Sequence, residues 1–307
     1  MNGVLVIDKP QDFTSFDVVA VMRRLCRQKK IGHTGTLDPM ATGVLPLLLG
    51  SATKAASLLE DGDKTYKASF ALGWETDTQD STGKTLRKSG VRAGREQVER
   101  AAASFRGDIM QLPPMYSAVQ VDGKRLYTLA RQGIMVEREK RPVTIYRLEL
   151  LSFCEEEQSG ELLVECSKGT YIRTLCADIG EALGTYGVMT ALRRTRACGF
   201  SLEEALPLEQ AREMEPEELK ARMLPADLLF SSKPAVTVSA AQAARFLNGG
   251  GLSLERTGIK KDGWIPGSGY RVYSPDRVFL GLGTVNLEKM ELSVLKLFPQ
   301  GNEGAGV

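Results

Sequence analysis

The chain has 307 residues, of which 42% are hydrophobic and 25% charged, and its formal net charge is +2. These values are typical of globular proteins, and at about 150 residues per domain the length predicts two domains. No apolar run approaches the ~20 residues of a membrane-spanning helix. The apolar stretch at residues 4–7 is not followed by a cleavage site, so we expect a cytoplasmic protein without a membrane anchor.

The cysteines and the single histidine argue against a zinc site. Five cysteines are scattered along the chain and none forms a C-x-x-C pair. Zinc sites need clustered Cys and His ligands, so we expect no metal and reduced, mostly buried thiols.

Charge is unevenly distributed along the chain. Residues 23–30 carry five positive charges and no negative ones, and residues 106–147 carry eight basic against four acidic residues. Residues 203–218, in contrast, contain seven glutamates. Such asymmetry suits a protein that binds a polyanion on one side, although each cluster alone is also compatible with a solvated surface.

The N-terminal segment predicts a strand followed by a helix. Residues 3–7 read as a buried strand, and Thr14 or Ser15 can cap a helix whose apolar stripe includes Cys26 and which Gly32 ends. Arg27, Lys29 and Lys30 follow this stripe. Favourable interaction with the helix dipole and contact with phosphate explain these cations equally well.

Residues 32–43 form the segment around which the chain is organised. They read Gly-His-Thr-Gly-Thr-Leu-Asp-Pro-Met-Ala-Thr-Gly, lie between a basic run and an apolar run, and contain His33 and Asp38. Glycine permits close approach of a ligand to the backbone, and the apolar run would anchor the segment in the core. The pattern is typical of a binding loop on a rigid scaffold.

The middle of the chain predicts alternating strands and helices. Residues 53–59 predict a short helix, residues 66–72 a strand with Tyr66 on its inward face, and residues 95–106 a further helix. Residues 76–83 form a polar turn without the order of an EF-hand loop. Residues 109–141 predict an exposed basic insertion that includes a helix at 124–132.

The clearest amphipathic pattern follows a strand at residues 162–167. Apolar residues recur at helical spacing from Ile172 to Leu183, and Tyr171 and Arg173 lie at the N-terminal end of this helix. A cation there opposes the helix dipole, so Arg173 requires another partner such as a carboxylate.

The C-terminal part predicts a separate small β-domain. Residues 207–224 are acidic and helix-forming, and residues 235–298 read as short strands separated by glycines, which fits a small barrel. We expect residues 300–307 to form a disordered tail.

Residues 32–43 closely resemble the signature of the bacterial tRNA pseudouridine-55 synthases, the TruB-type pseudouridine synthase family. Further motifs agree in order along residues 3–200, and they lie at residues 8–10, 63–66, 111–118, 122–127, 168–175 and 192–195. The C-terminal part resembles the PUA-like RNA-binding domain of that family. Two positions depart from the family pattern: Asp12 replaces the usual glycine, and Gln120 stands where lysine is common.

The resemblance implies an α+β pseudouridine-synthase fold, with a central mixed, mostly antiparallel sheet flanked by helices and a small C-terminal β-barrel. It implies a catalytic domain at 1–230, which includes the insertion at 109–141, and a PUA-like domain at 234–299. It also implies isomerisation of one uridine to pseudouridine in the T-loop of tRNA, at position 55. No cofactor and no obligate protein partner are implied, and we expect a monomer.

Three side chains are implied in catalysis. Asp38 would be the carboxylate catalyst, and Arg173 its guanidinium partner. Whether Asp38 attacks the base, attacks the ribose or assists glycal formation stays open. Tyr66 would stack on the extruded uracil and take a proton late in the reaction. In isolation, Asp38 also fits a turn-forming Asp-Pro, and Tyr66 a core tyrosine.

The substrate-binding residues implied by the resemblance are His33, Tyr66, Tyr171 and Leu192. Tyr171 and Leu192 would pack around the flipped nucleotide, although Leu192 also fits a plain core position. His33 would contact the T-loop RNA, with a structural role as the second interpretation and acid–base work as the third.

Extrusion of a base costs a few kcal/mol, which phosphate contacts can offset. We expect such contacts from Arg23, Arg24, Lys124, Arg125, Arg193 and Arg194, with the insertion acting as a flap on the T-arm. The alternatives are a guide-RNA-dependent enzyme of the same superfamily and a non-catalytic RNA-folding protein. A nucleotide-phosphate binder is a further alternative, but the chain has neither glycine-rich phosphate motif.

Overall fold

The computed structural model describes residues 1–59, 62–121 and 123–299. The predicted disordered tail at 300–307 lies outside the described residues. Seven helices are described: α1 Ser15–Leu25, α2 Arg95–Ala103, α3 Leu126–Arg131, α4 Ile172–Ala182, α5 Leu208–Glu213, α6 Pro216–Ala221 and α7 Ala240–Leu247. Short 3₁₀ helices cover Gly50–Ser57, Ala226–Phe230, Leu254–Arg256 and Lys261–Gly263.

The strands fall into one large sheet, one C-terminal sheet and two small hairpins. Those of the large sheet are β1 Gly3–Lys9, β2 Ile31–His33, β3 Thr42–Leu49, β4 Lys64–Leu72, β7 Gly107–Gln111, β10 Arg141–Cys154, β11 Ser159–Cys166, β12 Gly187–Ala197, β13 Phe200–Ser201 and β14 Leu206–Pro207. The hairpin strands are β5 Trp74–Thr76, β6 Thr85–Lys88, β8 Gln120–Val121 and β9 Lys124–Arg125. The C-terminal sheet contains β15 Ala235–Thr237, β16 Leu252–Ser253, β17 Gly269–Tyr273, β18 Phe279–Asn286 and β19 Glu291–Leu297.

The large sheet is mixed and mostly antiparallel, as the sequence predicted. Its order is β14-β1-β3-β12-β4-β11-β10-β7, with β2 on β3 and β13 on β12. Only β1 with β14 and β3 with β12 run parallel. The parallel pairing of β3 with β12 lies at the centre, where it places the residues just after the loop beside Arg193 and Arg194.

Helices α1 and α4 pack on the same face of this sheet, because the registers of β1, β3, β12 and β4 place Leu47, Arg194 and Phe70 on one side. α1 packs Val18 and Met22 against β1 and β3, and α4 packs Leu175 and Ile179 against the face that carries Phe70. The alternation predicted for β4 is confirmed, since Tyr66, Ala68, Phe70 and Leu72 are all buried. At about 25 cal/mol per Å², burial of such faces supplies the main stabilisation of the fold.

Four predicted elements differ from the structure. The short helix predicted at 53–59 is a 3₁₀ helix that spans Gly50–Ser57. α1 ends at Leu25 because Arg27 adopts a left-handed backbone with φ 48°, so the following lysines lie beyond the helix. The basic helix predicted at 124–132 begins only at Leu126, because Lys124 and Arg125 pair with Gln120 and Val121 in a hairpin. The all-strand prediction for 235–298 missed α7, which starts with a capping box formed by Ser239 and Gln242.

The C-terminal sheet packs against the large sheet through aromatic side chains. Phe279 and Phe298 stack with ring centroids 5.4 Å apart, and Phe230 lies 5.7 Å from Phe298. These rings belong to the same buried cluster as Val6 and Val44 of the large sheet. The two sheets therefore share a hydrophobic core.

Candidate active site

The loop at residues 34–41, here called the catalytic loop, joins β2 to β3 and is held by side chains from other elements. Ser15, at the start of α1, accepts a hydrogen bond from the Leu37 backbone N–H at 2.8 Å. The backbone N–H of Asp12 donates to the carbonyl of Pro39 at 2.9 Å. Asp12 has φ 65°, a conformation that glycine adopts without strain, which explains why glycine is usual there.

Asp38 lies in the middle of this loop and forms an ion pair with Arg173. The Arg173 Nε lies 3.1 Å from the Asp38 Oδ2. The guanidinium side chain is 7% exposed and the carboxylate 36% exposed, so the arginine is enclosed while the carboxylate faces an opening. The carboxylate partner that the sequence required for Arg173 is therefore present.

The Arg173 guanidinium is fixed from three further directions. Its Nη2 donates to the Tyr116 carbonyl at 2.7 Å, and its Nη1 donates to the Thr78 carbonyl at 3.2 Å. Asp80 lies 3.5 Å from Nη1 and forms a second, buried ion pair. A planar guanidinium satisfied on several sides has little freedom to rotate, so Asp38 faces a fixed positive group.

Asp80 is a residue of the site that was predicted only as part of a polar turn. The turn folds Asp80 inward, where its Oδ1 accepts hydrogen bonds from the Thr78 hydroxyl, the Thr82 hydroxyl and the Thr82 backbone N–H. The Asp-Ser-Thr-Gly sequence is a common turn pattern, and nothing in it indicates that the carboxylate is buried.

The pKa of the Asp38 carboxyl is raised above its ordinary value. Burial is the main cause, and the negative charge of Asp80 adds to it, whereas Arg173 and Lys9 act in the opposite direction. The two ion-pair partners of Arg173 therefore compete for its charge, and protonation of Asp38 occurs at a higher pH than for an exposed aspartate.

Tyr66 and Leu192 lie on the face of the sheet that the catalytic loop covers. Both are buried, at 6% and 8% exposure, in one cluster with Leu37, Ala41 and Ile172. Burial raises the pKa of Tyr66 to about 12, and the nearby charge of Arg194 acts in the opposite direction. The structure thus brings Tyr66 and Leu192 together beside the loop, in positions that also serve the core.

Arg194 was predicted to contact phosphate, and this prediction is wrong. The residue is fully buried, with 0% exposure, and its guanidinium donates to the carbonyls of Val44, Gly35 and Thr36. The physical reason is its position in β12, where it shares a face with Leu192 two residues earlier.

Tyr171 lies at the N-terminal end of α4 and is held through its backbone. The buried side chain of Gln111 donates to the Tyr171 carbonyl at 3.0 Å and accepts from its N–H at 2.7 Å. Gln111, the last residue of β7, thereby supplies the cap that α4 lacks from its own side chains. Sequence analysis gave Gln111 no role beyond its place in a motif.

His33 ends strand β2 and is half-buried. Its Nδ1 is buried without a hydrogen-bond partner among the described residues. Burial lowers the pKa of His33, and the charge of Arg194 lowers it further, so the imidazole is held in its neutral form. A neutral ring suits contact with an RNA base better than contact with phosphate.

Lys9 is a second buried cation beneath the catalytic loop. Its Nζ donates to the carbonyls of Pro10, Phe13 and Pro39, and the side chain is 0% exposed. Burial lowers the pKa of Lys9 to about 8. The sequence placed Lys9 in a motif without indicating that the side chain turns inward.

The other cations expected at phosphates have different surroundings. Arg24, Lys124 and Arg125 are exposed. Arg23 donates to the Ile31 carbonyl at 3.0 Å, and Arg193 pairs with Asp8 at 2.7 Å. Three of the six cations, Arg24, Lys124 and Arg125, can therefore contact RNA without breaking a hydrogen bond or ion pair like those of Arg23 and Arg193.

The predicted insertion is partly integrated into the fold. Residues 109–111 belong to β7 and Arg141 opens β10, which leaves residues 112–140 as the connecting segment. Within it Met115, Leu126 and Leu129 are buried, whereas Ile134 and Met135 are exposed.

Across residues 1–59, 62–121 and 123–299, no group of three or more His, Cys, Asp or Glu side chains is arranged to hold a metal ion. In the same residues, no helix is long and apolar enough to span a membrane. All five cysteines are free, and four of them are buried.

Two family models match the chain in succession. Residues 23–172 match the N-terminal domain of the TruB family pseudouridylate synthases, and residues 173–231 match the tRNA pseudouridylate synthase B C-terminal domain. Two similar relatives are tRNA pseudouridine synthases B. The enzyme of Alkaliphilus oremlandii is 47% identical to this chain, and the match covers 81% of this chain and 82% of that enzyme. The enzyme of Chromobacterium violaceum is 46% identical, and the match covers 92% of this chain and 90% of that enzyme.

Solved structures support the fold. A crystal structure of a Cbf5-Nop10-Gar1 complex matches with a TM-score of 0.74 and 26% identity, over 97% of this chain and 85% of that one. The archaeal box H/ACA sRNP Nop10-Cbf5 complex matches with a TM-score of 0.72 and 24% identity, over 97% and 86%. The predicted fold class is confirmed by these likenesses.

Proposed function

Because the chain belongs to the TruB family of pseudouridylate synthases, we propose that it isomerises uridine to pseudouridine at position 55, in the T-loop of tRNA. The name of its relatives supports tRNA as the substrate. The single structural observation that carries the proposal is the ion pair between Asp38 and the enclosed Arg173, at 3.1 Å, beside an opening.

The reaction breaks the N-glycosidic bond of the uridine, turns the base and forms a C-glycosidic bond. Nothing is oxidised and no group is imported, so the side chains of the site supply all the chemistry that the proposal needs. Asp38 is the carboxylate catalyst, and Arg173 stabilises its ionised form against the effect of burial. A fixed guanidinium needs no reorganisation when charge develops on the reacting group.

A stacked uridine cannot bring its glycosidic bond to the partly buried carboxylate of Asp38, so the nucleotide must leave the stack. Flipping costs a few kcal/mol, less for a loop than for a duplex. Tyr66 and Tyr171 would flank the uracil with Leu192 beneath it. Because burial raises the pKa of Tyr66 to about 12, its phenol is protonated, so it would relay the C5 proton at the end: it accepts that proton while its own passes to N1, which cleavage of the glycosidic bond leaves free. His33, neutral and partly enclosed, would fill the space that the base leaves in the loop.

RNA binding is assigned to the exposed cations. Arg24, Lys124 and Arg125 would contact the T-arm backbone, and the 112–140 segment would cover it as a flap. The proposal includes the domain division at about residue 230, with residues 234–299 acting as the PUA-like RNA-binding domain. It also includes a cytoplasmic monomer that acts without a cofactor or a protein partner.

Asp38→Asn tests the proposal, with Asp276→Asn on an exposed C-terminal turn as the matched control. With a bare T-arm stem-loop, Asp38→Asn should bind RNA within about threefold of the wild type yet lose about 10⁴-fold or more in rate. The control should keep full activity. Pseudouridine is mapped in the RNA after incubation with each variant. Full turnover by Asp38→Asn would refute the proposal.

A guide-RNA-dependent enzyme is the second candidate, because one matching structure is that of a Cbf5-Nop10-Gar1 complex. The same assay separates the two functions. Turnover of the bare stem-loop by the chain alone supports the stand-alone enzyme, and inactivity that is relieved only by a guide RNA and proteins supports the alternative.

A further inference from the structure

Arg194 is a charged residue that the reaction as proposed does not use. It is fully buried, and a cation is removed from water at a high cost unless it is well satisfied. Its Nε donates to the Val44 carbonyl at 2.7 Å, its Nη2 to the Gly35 carbonyl at 3.2 Å and its Nη1 to the Thr36 carbonyl at 3.5 Å.

These three carbonyls lie on both sides of Asp38 in the chain. Gly35 and Thr36 precede the catalytic aspartate in the loop, and Val44 follows it in β3. One planar group thus joins the two ends of the catalytic loop. A lysine donates from a single nitrogen and lacks the fixed planar arrangement of three nitrogens that meets these three carbonyls.

The same side chain faces Tyr66. Arg194 and Tyr66 are direct partners across the antiparallel pair β12–β4, and directly opposed residues project from the same face of a sheet.

We propose that Arg194 is a positioning residue for pseudouridine formation, whose guanidinium fixes the loop that carries Asp38 against the strand that carries Tyr66. The inference rests on the proposed function and assigns Arg194 to the chemical step instead of RNA binding. Its neighbour Arg193 has the opposite character, since its side chain is 42% exposed and pairs with Asp8 at the surface.

The experiment compares Arg194→Lys and Arg194→Ala with Arg193→Ala, in single-turnover assays on the T-arm stem-loop with parallel RNA-binding titrations. Both Arg194 variants should lower the rate of the bound complex, by about tenfold for lysine and about 100-fold or more for alanine, with RNA affinity within about threefold. Arg193→Ala, which removes a cation that pairs with Asp8, should leave both the bound rate and the RNA affinity within about twofold.

Two further measurements separate positioning from a merely structural role. Millimolar guanidinium chloride should restore part of the bound rate of Arg194→Ala without changing its RNA affinity. Arg194→Lys should keep a wild-type melting temperature while its rate is reduced, so the test stands even if Arg194→Ala does not fold.

Two results would overturn the inference. One is an Arg194→Lys enzyme with the wild-type rate, and the other is an Arg194 variant that loses affinity more than rate. Failure of the proposed function is distinguishable from both, because the wild-type chain would then form no pseudouridine on the stem-loop.

Discussion

The catalytic loop and the 112–140 segment are both irregular connections, but they are built in opposite ways. The loop is held by Ser15, Lys9 and Arg194, and nearly all of these bonds run from buried side chains to the backbone. In its described residues, 112–121 and 123–140, the segment has only a hairpin of two two-residue strands and a six-residue helix. Arg125 and Arg131 stack on its own Tyr127, and the Tyr116 carbonyl is its contact with Arg173. The difference indicates that the chemical groups are arranged before RNA arrives, while RNA recognition is left to the surface.

The largest expected effect after that of Asp38→Asn is that of Arg173→Met, which leaves Asp38 without its partner. The rate should fall by about 10²–10³-fold, the range for loss of one preorganised electrostatic group. Asp80→Asn, which removes the competing carboxylate but keeps most hydrogen bonds of the turn, should have a smaller effect. Single-turnover rates on tRNA measure both, and equal rates for Arg173→Met and the wild type would remove Arg173 from the site.

Gly43→Ala should destabilise the end of the loop that enters β3. Gly43 has φ +105°, and an added Cβ would lie 2.1 Å from the Arg194 carbonyl oxygen. We expect the free energy of unfolding to drop by about 2–4 kcal/mol, as for other strained core substitutions. Gly107→Ala is the matched control, because it also has positive φ but no atom within 4 Å of the added carbon. Denaturant titration of both variants should show the larger loss at Gly43.

Substitution of both Lys124 and Arg125 by alanine tests the 112–140 segment, and it should change RNA binding and not the chemical step. Two lost phosphate contacts should weaken T-arm binding by about tenfold and reduce the slope of log K against log salt by about 1.4. The rate of the bound complex should be unchanged, because neither side chain contacts the catalytic loop. A lower bound rate with unchanged affinity would show that the segment takes part in the chemistry.

The smallest expected effect is a shift in the pH profile. The raised pKa of Asp38 means that its carboxylate is protonated at a higher pH than an ordinary aspartate. As the pH is lowered, activity should therefore be lost with a midpoint above pH 3.8, the ordinary pKa of aspartate. Removal of Arg173 takes away a cause that lowers this pKa, so the acid limb of Arg173→Met should move further up. If the acid limb of Arg173→Met lies at the same pH as that of the wild type, the group that titrates in the pH profile is not Asp38.

The sequence predicted those parts of the site that depend on local patterns. Strand β4 and helix α4 followed from their periods, and the need of Arg173 for a partner such as a carboxylate followed from its unfavourable place at a helix N-terminus, whereas Asp38 as that partner was implied by the family resemblance. These inferences need only the residues within one element and the dipole of that element.

The parts that were missed depend on contacts between distant elements. Asp80 is buried because its turn folds onto α4, and Gln111 caps a helix 60 residues away. Arg194 was predicted to be a surface cation because a basic run in the sequence shows where charge lies along the chain but not which side chains point into the core. Its spacing from Leu192 in a strand was the available signal for burial.

The aromatic contact between the two sheets has a consequence for how the chain comes apart. Phe279 and Phe298 complete a cluster that includes Val44, the residue whose carbonyl binds Arg194. Deleting all residues after 231 would expose that cluster to water at β3, the strand that follows the catalytic loop. Heat or denaturant should therefore melt both sheets in a single transition, and a shortened chain would lose its working geometry along with its RNA-binding surface.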